Sequence, residues 1–230
     1  MITGTSRGIG GAIARRFILA DNDVTDLILV ARDTPAFEAA VDKLIADNPF
    51  GKHVHPYAGD LADRGRVVGM MADIMAANDG VDVLVNNAGY TAPAAIQQIS
   101  FADFERTMGV NVYAPFIIVQ ELLRRGNTFE LIVNVASTAG ITGRSGWLTY
   151  SASKAAIINM SQVMREELAI FGTRVVCISP GRCATDLRRT LAPDEDPTTI
   201  MQPEEVASVV EMLASDVGSL VDGQNLIVRR

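Results

Sequence analysis

Short apolar runs alternate along this chain with longer segments in which apolar residues recur every three or four positions. The run at 24–31 (VTDLILVA) is apolar on both faces of an extended chain, which is typical of a buried parallel strand. The segment at 64–77 has the period of a helix, since Val67, Met71 and Ile74 would share one face. The alternation predicts one doubly wound α/β domain over residues 1–230, with about seven parallel strands and helices on both faces.

Similar patterns predict the remaining elements. Strands are expected at 52–57, 81–85, 131–136, 174–179 and 225–228. Helices are expected after Gly10 and at 34–48, 64–77, 103–123, 150–170 and 203–213, with an interruption around 109–111. Only Met1 and Ile2 precede a glycine-rich loop, so either the first strand is unusually short or residues are missing upstream.

Composition narrows the class of protein. Hydrophobic residues make up 48% of the chain and charged residues 20%, which predicts a folded domain rather than disorder. The net charge of −7 argues against nucleic acid and anionic membranes as partners. No apolar run reaches transmembrane length, and the first residues lack the charged-then-apolar pattern of a signal peptide.

The cysteines and histidines do not predict a disulfide framework or a metal site. Cys177 and Cys183 lie six residues apart with no second pair, which fits a protein of the reducing cytoplasm. His53 and His55 alternate in a predicted strand and would point to one face, but no further ligand lies nearby in the sequence. We therefore predict no metal site.

Three side chains between residues 134 and 154 can do chemistry together. Tyr150 and Lys154 are four residues apart, so on a helix they stack on one face. An ammonium beside a phenol favours the phenolate, so we expect Lys154 to lower the pKa of Tyr150 from about 10. Such a tyrosine can pass a proton to or from a carbonyl or alcohol oxygen that Ser137 also holds. Alone, the Tyr–Lys spacing would be read as an exposed helical pair.

A glycine-rich loop opens the chain. Residues 3–10 (TGTSRGIG) place Gly4, Gly8 and Gly10 just before an apolar helix. Glycines allow a tight turn and the close approach of a phosphate to backbone N–H groups at the helix start. A plain strand-to-helix turn is the alternative for this loop alone. Small and amide side chains (NNAG, 86–89) follow the strand at 81–85, where ligands bind in open α/β sheets.

These motifs, in this order, resemble the short-chain dehydrogenase/reductase family over nearly the whole chain. The resemblance implies a Rossmann-like fold and a catalytic tetrad of Asn111, Ser137, Tyr150 and Lys154. In the family the lysine also binds the nicotinamide ribose, and the asparagine sits at a helix distortion and holds a water of the proton relay. The residues that the resemblance places around the cofactor are Gly4, Ser6, Arg7, Gly8, Ile9, Gly10, Arg32, Asp60, Leu61, Asn87, Ala88, Gly89, Tyr150, Lys154, Pro180, Gly181 and Thr185.

The end of the strand at 24–31 bears on which dinucleotide is used. An acidic residue at this point holds the ribose hydroxyls of NAD, whereas a basic one accommodates the 2′-phosphate of NADP. We align Ala31 with the acidic position and Arg32 with the basic one, and Arg7 is a second cation that can clamp the phosphate. NADP(H) is therefore preferred. Asp33 keeps NAD(H) possible if the alignment slips by two residues.

The sequence thus predicts an NADP(H)-dependent oxidoreductase acting on a small ketone, aldehyde or secondary alcohol. Chain length and the loop at 143–147 also resemble small carbonyl reductases of the benzil or sepiapterin type. The short polar segment at 186–200 is expected to be a mobile lid, and Trp147 either lines the pocket or only packs. By resemblance, the helices at 103–123 and 150–170 form the interface of a homo-oligomer, a dimer or a tetramer. An NAD-dependent alcohol dehydrogenase and a non-catalytic dinucleotide sensor are the alternatives.

Overall fold

In the computed structural model, which describes residues 1–221 and 225–230, parallel strands form a sheet with helices on both faces. The strands are β1 (Ile2–Thr3), β2 (Asp26–Ala31), β3 (His53–Ala58), β4 (Val83–Asn86), β5 (Leu131–Val135), β6 (Arg174–Pro180) and β7 (Asn225–Val228). The helices are α1 (Gly8–Leu19), α2 (Pro35–Ala46), α3 (Arg64–Ala77), α4 (Phe101–Met108), α5 (Ala114–Arg124), α6 (Leu148–Leu168), α7 (Asp186–Leu191) and α8 (Pro203–Leu213). Within the described ranges, no helix combines the length and the hydrophobicity that a membrane span requires.

The seven strands follow the order β3-β2-β1-β4-β5-β6-β7, which confirms the doubly wound α/β class. β1 has only two residues, yet it pairs with both neighbours, since Ile2 lies opposite Leu29 of β2 and Val85 of β4. β2 and β3 are added on one side of β1, whereas β4 to β7 are added on its other side. The loops that follow β1 and β4 therefore diverge and leave a crevice at the carboxyl ends of the strands.

Apolar side chains on both faces of the sheet explain why the strands form where they do. Every residue of β5 is buried. Ile13 and Phe17 of α1 join one core with α2 and α8, while Met70 and Ile74 of α3 join the other with α5 and α6. Each such side chain contributes about 1.5–3 kcal/mol on burial, so the two helical layers hold the central strands in a fixed position beneath the crevice.

The ends of several elements differ from the predicted bounds for local reasons. β2 begins two residues later than predicted, because the Val24 N–H donates to Asn22 Oδ1 (3.2 Å) in a turn. α6 runs over Leu148–Leu168 rather than 150–170, since Gly146 (φ +78°) turns the chain into the helix. At its far end a 3₁₀ turn leads to Gly172 (φ +75°), a left-handed residue that terminates the helix.

The predicted interruption of the helix at 103–123 is confirmed. α4 and α5 are joined by a single π-helical turn, Gly109–Tyr113. Such a turn adds a residue to the helix and is frequent at functional sites. Here it turns Asn111 into the interior, where 1% of the residue is exposed.

Candidate active site

A cleft of about 420 Å³ lies across the carboxyl ends of the central strands. Its walls come from the loops after β1, β2, β3, β4, β5 and β6 and from the start of α6. Nearly all of the residues that the sequence predicted around the cofactor line this cleft: Gly4, Ser6, Arg7, Gly8, Ile9, Arg32, Asp60, Leu61, Asn87, Ala88, Gly89, Tyr150, Lys154, Pro180, Gly181 and Thr185. Ser137 lines it too, whereas Gly10 and Asn111 lie behind the wall.

The glycine loop has the shape of a phosphate cradle. Gly4 (φ +75°) and Gly8 (φ +59°) adopt left-handed backbone that favours glycine. Gly10 supports the loop from behind, because a Cβ there would lie 2.3 Å from the Gly4 carbonyl oxygen. The first turn of α1 receives no side-chain cap, so its N–H groups and the helix dipole are available to an anion. These residues fit the pyrophosphate of a dinucleotide.

Asn87 braces the loop against the sheet. Its side-chain Nδ2 donates to the Thr3 carbonyl (2.9 Å), and its backbone N–H donates to Thr3 Oγ1 (3.0 Å). Ala88 N–H donates to the same hydroxyl (3.0 Å). The loop after β4 is thereby tied to β1, which leaves only small side chains over the floor of the cleft.

Ser137, Tyr150 and Lys154 meet at one end of the cleft. β5 delivers Ser137, and the first turn of α6 delivers Tyr150. The Ser137 hydroxyl is close enough to Tyr150 to act on the pKa of the phenol, and both side chains line the cleft. Lys154 follows one turn later, with Nζ 5.9 Å from the centre of the Tyr150 ring and donating to the Val135 carbonyl (2.8 Å). A substrate oxygen that reaches the phenol therefore also reaches the serine hydroxyl.

The pKa of Tyr150 is raised above its ordinary value, which corrects the expectation that Lys154 lowers it. Burial is the larger cause, because the phenolate loses its hydration; the nearby Ser137 hydroxyl and the Arg188 charge act in the opposite direction. Tyr150 is 6% exposed and Lys154 4%. The prediction considered the cation but not the loss of water, and here the loss of water is the larger effect.

Burial acts on Lys154 as well, and lowers its pKa to about 8, opposed by the neighbouring Cys177. The same environment raises the pKa of Cys177 to about 11, again chiefly through burial. Cys177 is therefore a neutral thiol beneath the site rather than a nucleophile. The lowered pKa of Lys154 and the raised pKa of Cys177 both favour the neutral group, because the region between β5, β6 and α6 excludes water.

Asn111 lies behind the cleft wall and joins the loop after β4 to helix α6. Its Nδ2 donates to the Tyr90 carbonyl (3.0 Å) and to Ser153 Oγ (2.9 Å), while its Oδ1 accepts from the Tyr90 N–H (2.8 Å). The Ser153 hydroxyl in turn donates to the Tyr150 carbonyl (2.7 Å). The carboxamide thus holds the loop after β4 against the turn of α6 that carries the tyrosine.

The far end of the cleft carries the residues predicted to select the dinucleotide. Arg32 lines the cleft, whereas the neighbouring Asp33 does not. Asp60 accepts from Arg106 Nη2 (2.7 Å), a residue that sequence reasoning missed. Arg7 pairs with Asp186 at the start of α7 (2.8 Å), so in this structure it joins the glycine loop to the segment at 186–200.

Trp147 lines the cleft beside the tyrosine rather than only packing. Its ring meets the Tyr150 ring edge-on, with 6.4 Å between the centroids. Two arginines lie over the indole, Arg144 at 5.3 Å and Arg188 at 5.4 Å, and both line the cleft. Arg188 is anchored by Glu195 (2.5 and 2.8 Å). Sequence reasoning missed both arginines; the only local signal was the basic character of the segments flanking Trp147 and Thr185.

The segment at 186–200 is more ordered than a bare loop. It contains α7 and a 3₁₀ turn, Pro197–Thr199. Thr185, which the resemblance places around the cofactor, caps α7 by accepting from the Arg188 N–H (3.1 Å). Its mobility as a lid stays a prediction.

Although the chain is acidic, the cleft is basic. Among its described lining residues, only Asp60 and Asp186 carry a negative charge. Positive side chains line it at Arg7, Arg32, Arg106, Arg144, Lys154, Arg182 and Arg188. A cleft of this kind concentrates anions.

Comparisons with known proteins agree with this geometry. The short chain dehydrogenase family model matches residues 1–196. The chain is 33% identical over 240 residues to the 3-oxoacyl-[acyl-carrier-protein] reductase FabG of Thermotoga maritima, covering 97% of this chain and 93% of that protein. It is 31% identical over 250 residues to the 2,3-dihydro-2,3-dihydroxybenzoate dehydrogenase of Escherichia coli K12, covering 99% and 93%.

Solved structures resemble the whole fold. A blue fluorescent protein from a metagenomic library, in complex with NADPH, superposes with a TM-score of 0.86 at 29% identity. A short chain dehydrogenase from Burkholderia cenocepacia, in complex with NADP, gives 0.86 at 27%. Each match covers 99% of this chain and 94% of the other.

Proposed function

This chain belongs to the short-chain dehydrogenase family, and on that premise we propose that it is an NADP(H)-dependent carbonyl reductase. The observation that carries the proposal is the meeting of Ser137, Tyr150 and Lys154 at one end of a cleft that fits a dinucleotide. When bound, the nicotinamide supplies the hydride to the carbonyl carbon of a ketone or aldehyde, or accepts it from an alcohol. The protein supplies the proton, the hydrogen bonds and the dry environment.

Tyr150 acts as the general acid. Because its pKa is raised by burial, the phenol keeps its proton at neutral pH and can give it to the substrate oxygen as negative charge develops there. Ser137 donates a hydrogen bond to the same oxygen. Lys154 holds a positive charge below its pKa of about 8 and stabilises the phenolate left behind. A protonated tyrosine favours reduction over oxidation near neutral pH.

The preference for NADP(H) is supported by Arg32, which lines the cleft where Asp33 does not. A guanidinium at this point pairs with the 2′-phosphate, whereas a carboxylate would repel it. Two of the similar structures, at 29% and 27% identity, hold NADPH and NADP.

We further propose that the substrate carries an anionic group. Arg144 lies over the ring of Trp147, which itself meets the Tyr150 ring, and no ion pair holds it among the described residues. A carboxylate or phosphate a few carbon atoms from the carbonyl would meet this guanidinium while the carbonyl oxygen meets the phenol.

The test is the loss of the reduced nicotinamide absorbance with NADPH and with NADH, over neutral ketones, keto acids and aldehydes. We expect turnover with NADPH, faster for keto acids, and a loss of about 10²–10⁴-fold in Tyr150→Phe. Turnover with NADH alone would point instead to an NAD-dependent alcohol dehydrogenase. Tight NADPH binding by calorimetry without turnover of any substrate would favour a dinucleotide sensor.

A further inference from the structure

A second group of chemically active side chains lies at the amino ends of the outer strands. Asp26 begins β2, and His53 begins β3, the edge strand. The parallel register places Asp26 opposite His53, and His55 is two residues further along the same strand. Since alternate residues of a strand share a face, both imidazoles and the carboxylate lie on one side of the sheet.

The three side chains already converge on one carboxylate oxygen. His55 Nε2 is 2.8 Å from Asp26 Oδ1, and His53 Nδ1 is 3.3 Å from the same atom. All three candidate ligand atoms lie within 4.8 Å of one another. The imidazole rings stand edge to face, with 6.3 Å between the centroids. Asp26 is a third candidate ligand that the prediction of no metal site did not consider, because it lies 27 residues before His53 in the sequence.

Two imidazoles and a carboxylate are a donor set for divalent transition metals such as Zn²⁺. Around a tetrahedral zinc with bonds of about 2.0–2.2 Å, neighbouring ligand atoms stand roughly 3.3 Å apart. The nitrogen-to-oxygen distances of 3.3 and 2.8 Å are comparable to that value, and the two ring nitrogens lie within 4.8 Å of each other. The side chains of His53 and Asp26 are 73% and 45% exposed, so an ion can enter from solvent.

We propose that Asp26, His53 and His55 form a zinc-binding site at the edge of the sheet, with water completing the coordination. In the absence of metal the carboxylate accepts hydrogen bonds from the imidazoles; the metal replaces the protons of those bonds.

We expect a metal at this site to stabilise the fold rather than to take part in the reaction. It sits at the amino ends of β2 and β3, whereas the cleft lies at the carboxyl ends of the strands. A metal held by residues of both strands would link the edge strand to its neighbour, at a place where the sheet has no further strand to cover it. We therefore expect it to stabilise the fold and to leave the chemistry of Tyr150 unchanged.

The few histidines of the chain make zinc binding at this site easy to test. It has two histidines, 53 and 55, and both cysteines are buried, so imidazole-dependent binding to the untagged protein can arise only here. Zn²⁺ is titrated in competition with a chromophoric chelator. We expect one equivalent to bind, and His53→Gln and His55→Gln each to weaken binding at least about 10-fold. Asp23→Asn, an exposed carboxylate in the preceding loop, is the matched control and should bind as the parent does.

Two further measurements separate this site from non-specific binding. Zn²⁺ should raise the thermal midpoint of the parent and of Asp23→Asn but not of the His53→Gln/His55→Gln double variant. Cu²⁺ bound in place of Zn²⁺ should show imidazole nitrogen coupling in its electron paramagnetic resonance spectrum. Equal Zn²⁺ affinity in the parent and the double variant, or no saturable binding at all, would show that the cluster is only a hydrogen-bonded group. Circular dichroism confirms that the exposed glutamine variants are folded.

Discussion

Burial favours the neutral form of both central side chains of the site, the phenol of Tyr150 and the amine of Lys154. For the tyrosine this means a retained proton, which suits an acid. For the lysine it means that the charged form is disfavoured, although the ammonium donates a hydrogen bond to the Val135 carbonyl 2.8 Å away. A cofactor ribose is the kind of group that would complete its hydrogen bonds.

The cost of the Lys154 charge predicts how stability depends on pH. The folded-state pKa is lowered from 10.5 to about 8, so between these values the folded protein binds fewer protons than the unfolded chain. The free energy of unfolding contributed by this residue therefore rises with pH through that window, by up to about 3 kcal/mol. Below a pH of about 8 the full cost is present.

Urea unfolding of the cofactor-free protein and of Lys154→Met measures this effect. We expect Lys154→Met to be the more stable of the two at neutral pH, and the difference to shrink as pH rises above about 8. A difference that stays constant across this range would mean that the lysine keeps its ordinary pKa.

At the residue scale we also expect Arg32 to determine the preference for NADPH over NADH. Replacing Arg32 with Ser removes a cation from the cleft, and a charge-assisted contact to phosphate contributes about 1.5–3 kcal/mol. We expect the KM for NADPH to rise roughly 10–100-fold in Arg32→Ser, with that for NADH little changed. Asp33→Asn is the control, since Asp33 does not line the cleft. Steady-state kinetics with both cofactors compare the variants; a larger effect in Asp33→Asn would reverse the alignment of this strand end.

At the scale of elements, the site depends on how closely the loop after β5 approaches α6. A 3₁₀ turn, Thr138–Gly140, follows Ser137 and packs directly on that helix. A Cβ at Gly140 would lie 2.6 Å from the carbonyl carbon of Lys154 and 2.7 Å from the N atom of Ala155. These are backbone atoms, which cannot rotate aside as a side chain can.

Gly140→Ala should therefore push Ser137 away from Tyr150. We expect kcat to fall and the protein to lose about 1–3 kcal/mol of stability, as in other overpacked sites. Gly143→Ala is the matched control, because a Cβ at Gly143 meets nothing within 4 Å. Turnover and thermal unfolding are measured for both variants. Similar losses in the two would show that loop flexibility, rather than close packing, is what the glycines provide.

For the whole molecule, the described surface carries large apolar side chains near the π-helical turn. Phe101 is 73% exposed, Tyr113 55% and Phe116 45%, and all three belong to the α4–α5 segment. Tyr113 and Phe116 lie on neighbouring turns, and exposed apolar groups arranged in this way are typical of surfaces that another chain covers. The homo-oligomer stays a prediction, with the helices at 103–123 and 150–170 as its interface.

Light scattering after size-exclusion chromatography tests the prediction. We expect the parent to be a dimer or a tetramer and Phe116→Glu to shift toward smaller species, because a buried carboxylate without a partner opposes association. Ile45→Glu is the control, since Ile45 is 54% exposed but lies on α2, far along the chain from the proposed interface. A parent that elutes as a monomer at all concentrations would refute the interface.

The local sequence pattern predicted most of the helices and strands. α3, α8 and β7 have the predicted bounds, because each is marked by its own residues: Asp63 caps α3, and Pro203 opens α8. Bounds failed where a turn outside the apolar run decided them, as at Asn22 before β2. The interruption predicted around 109–111 is a π-helical turn, and the helix distortion at Asn111 was implied by the family resemblance rather than by the apolar pattern.

The sequence by itself determined the order of strands and helices, the glycine loop, and the set of Ser137, Tyr150 and Lys154, because periodicity and motif spacing are properties of neighbouring residues. Only the tertiary structure decided the direction of the Tyr150 pKa, which depends on how much water the assembled helices exclude. It also decided the partners of residues distant in the chain. Asn111 is held between Tyr90 and Ser153, and Asp26 meets His53 and His55 across two strands. Such contacts form only when the sheet sets the register of segments tens of residues apart, and no local pattern encodes that register.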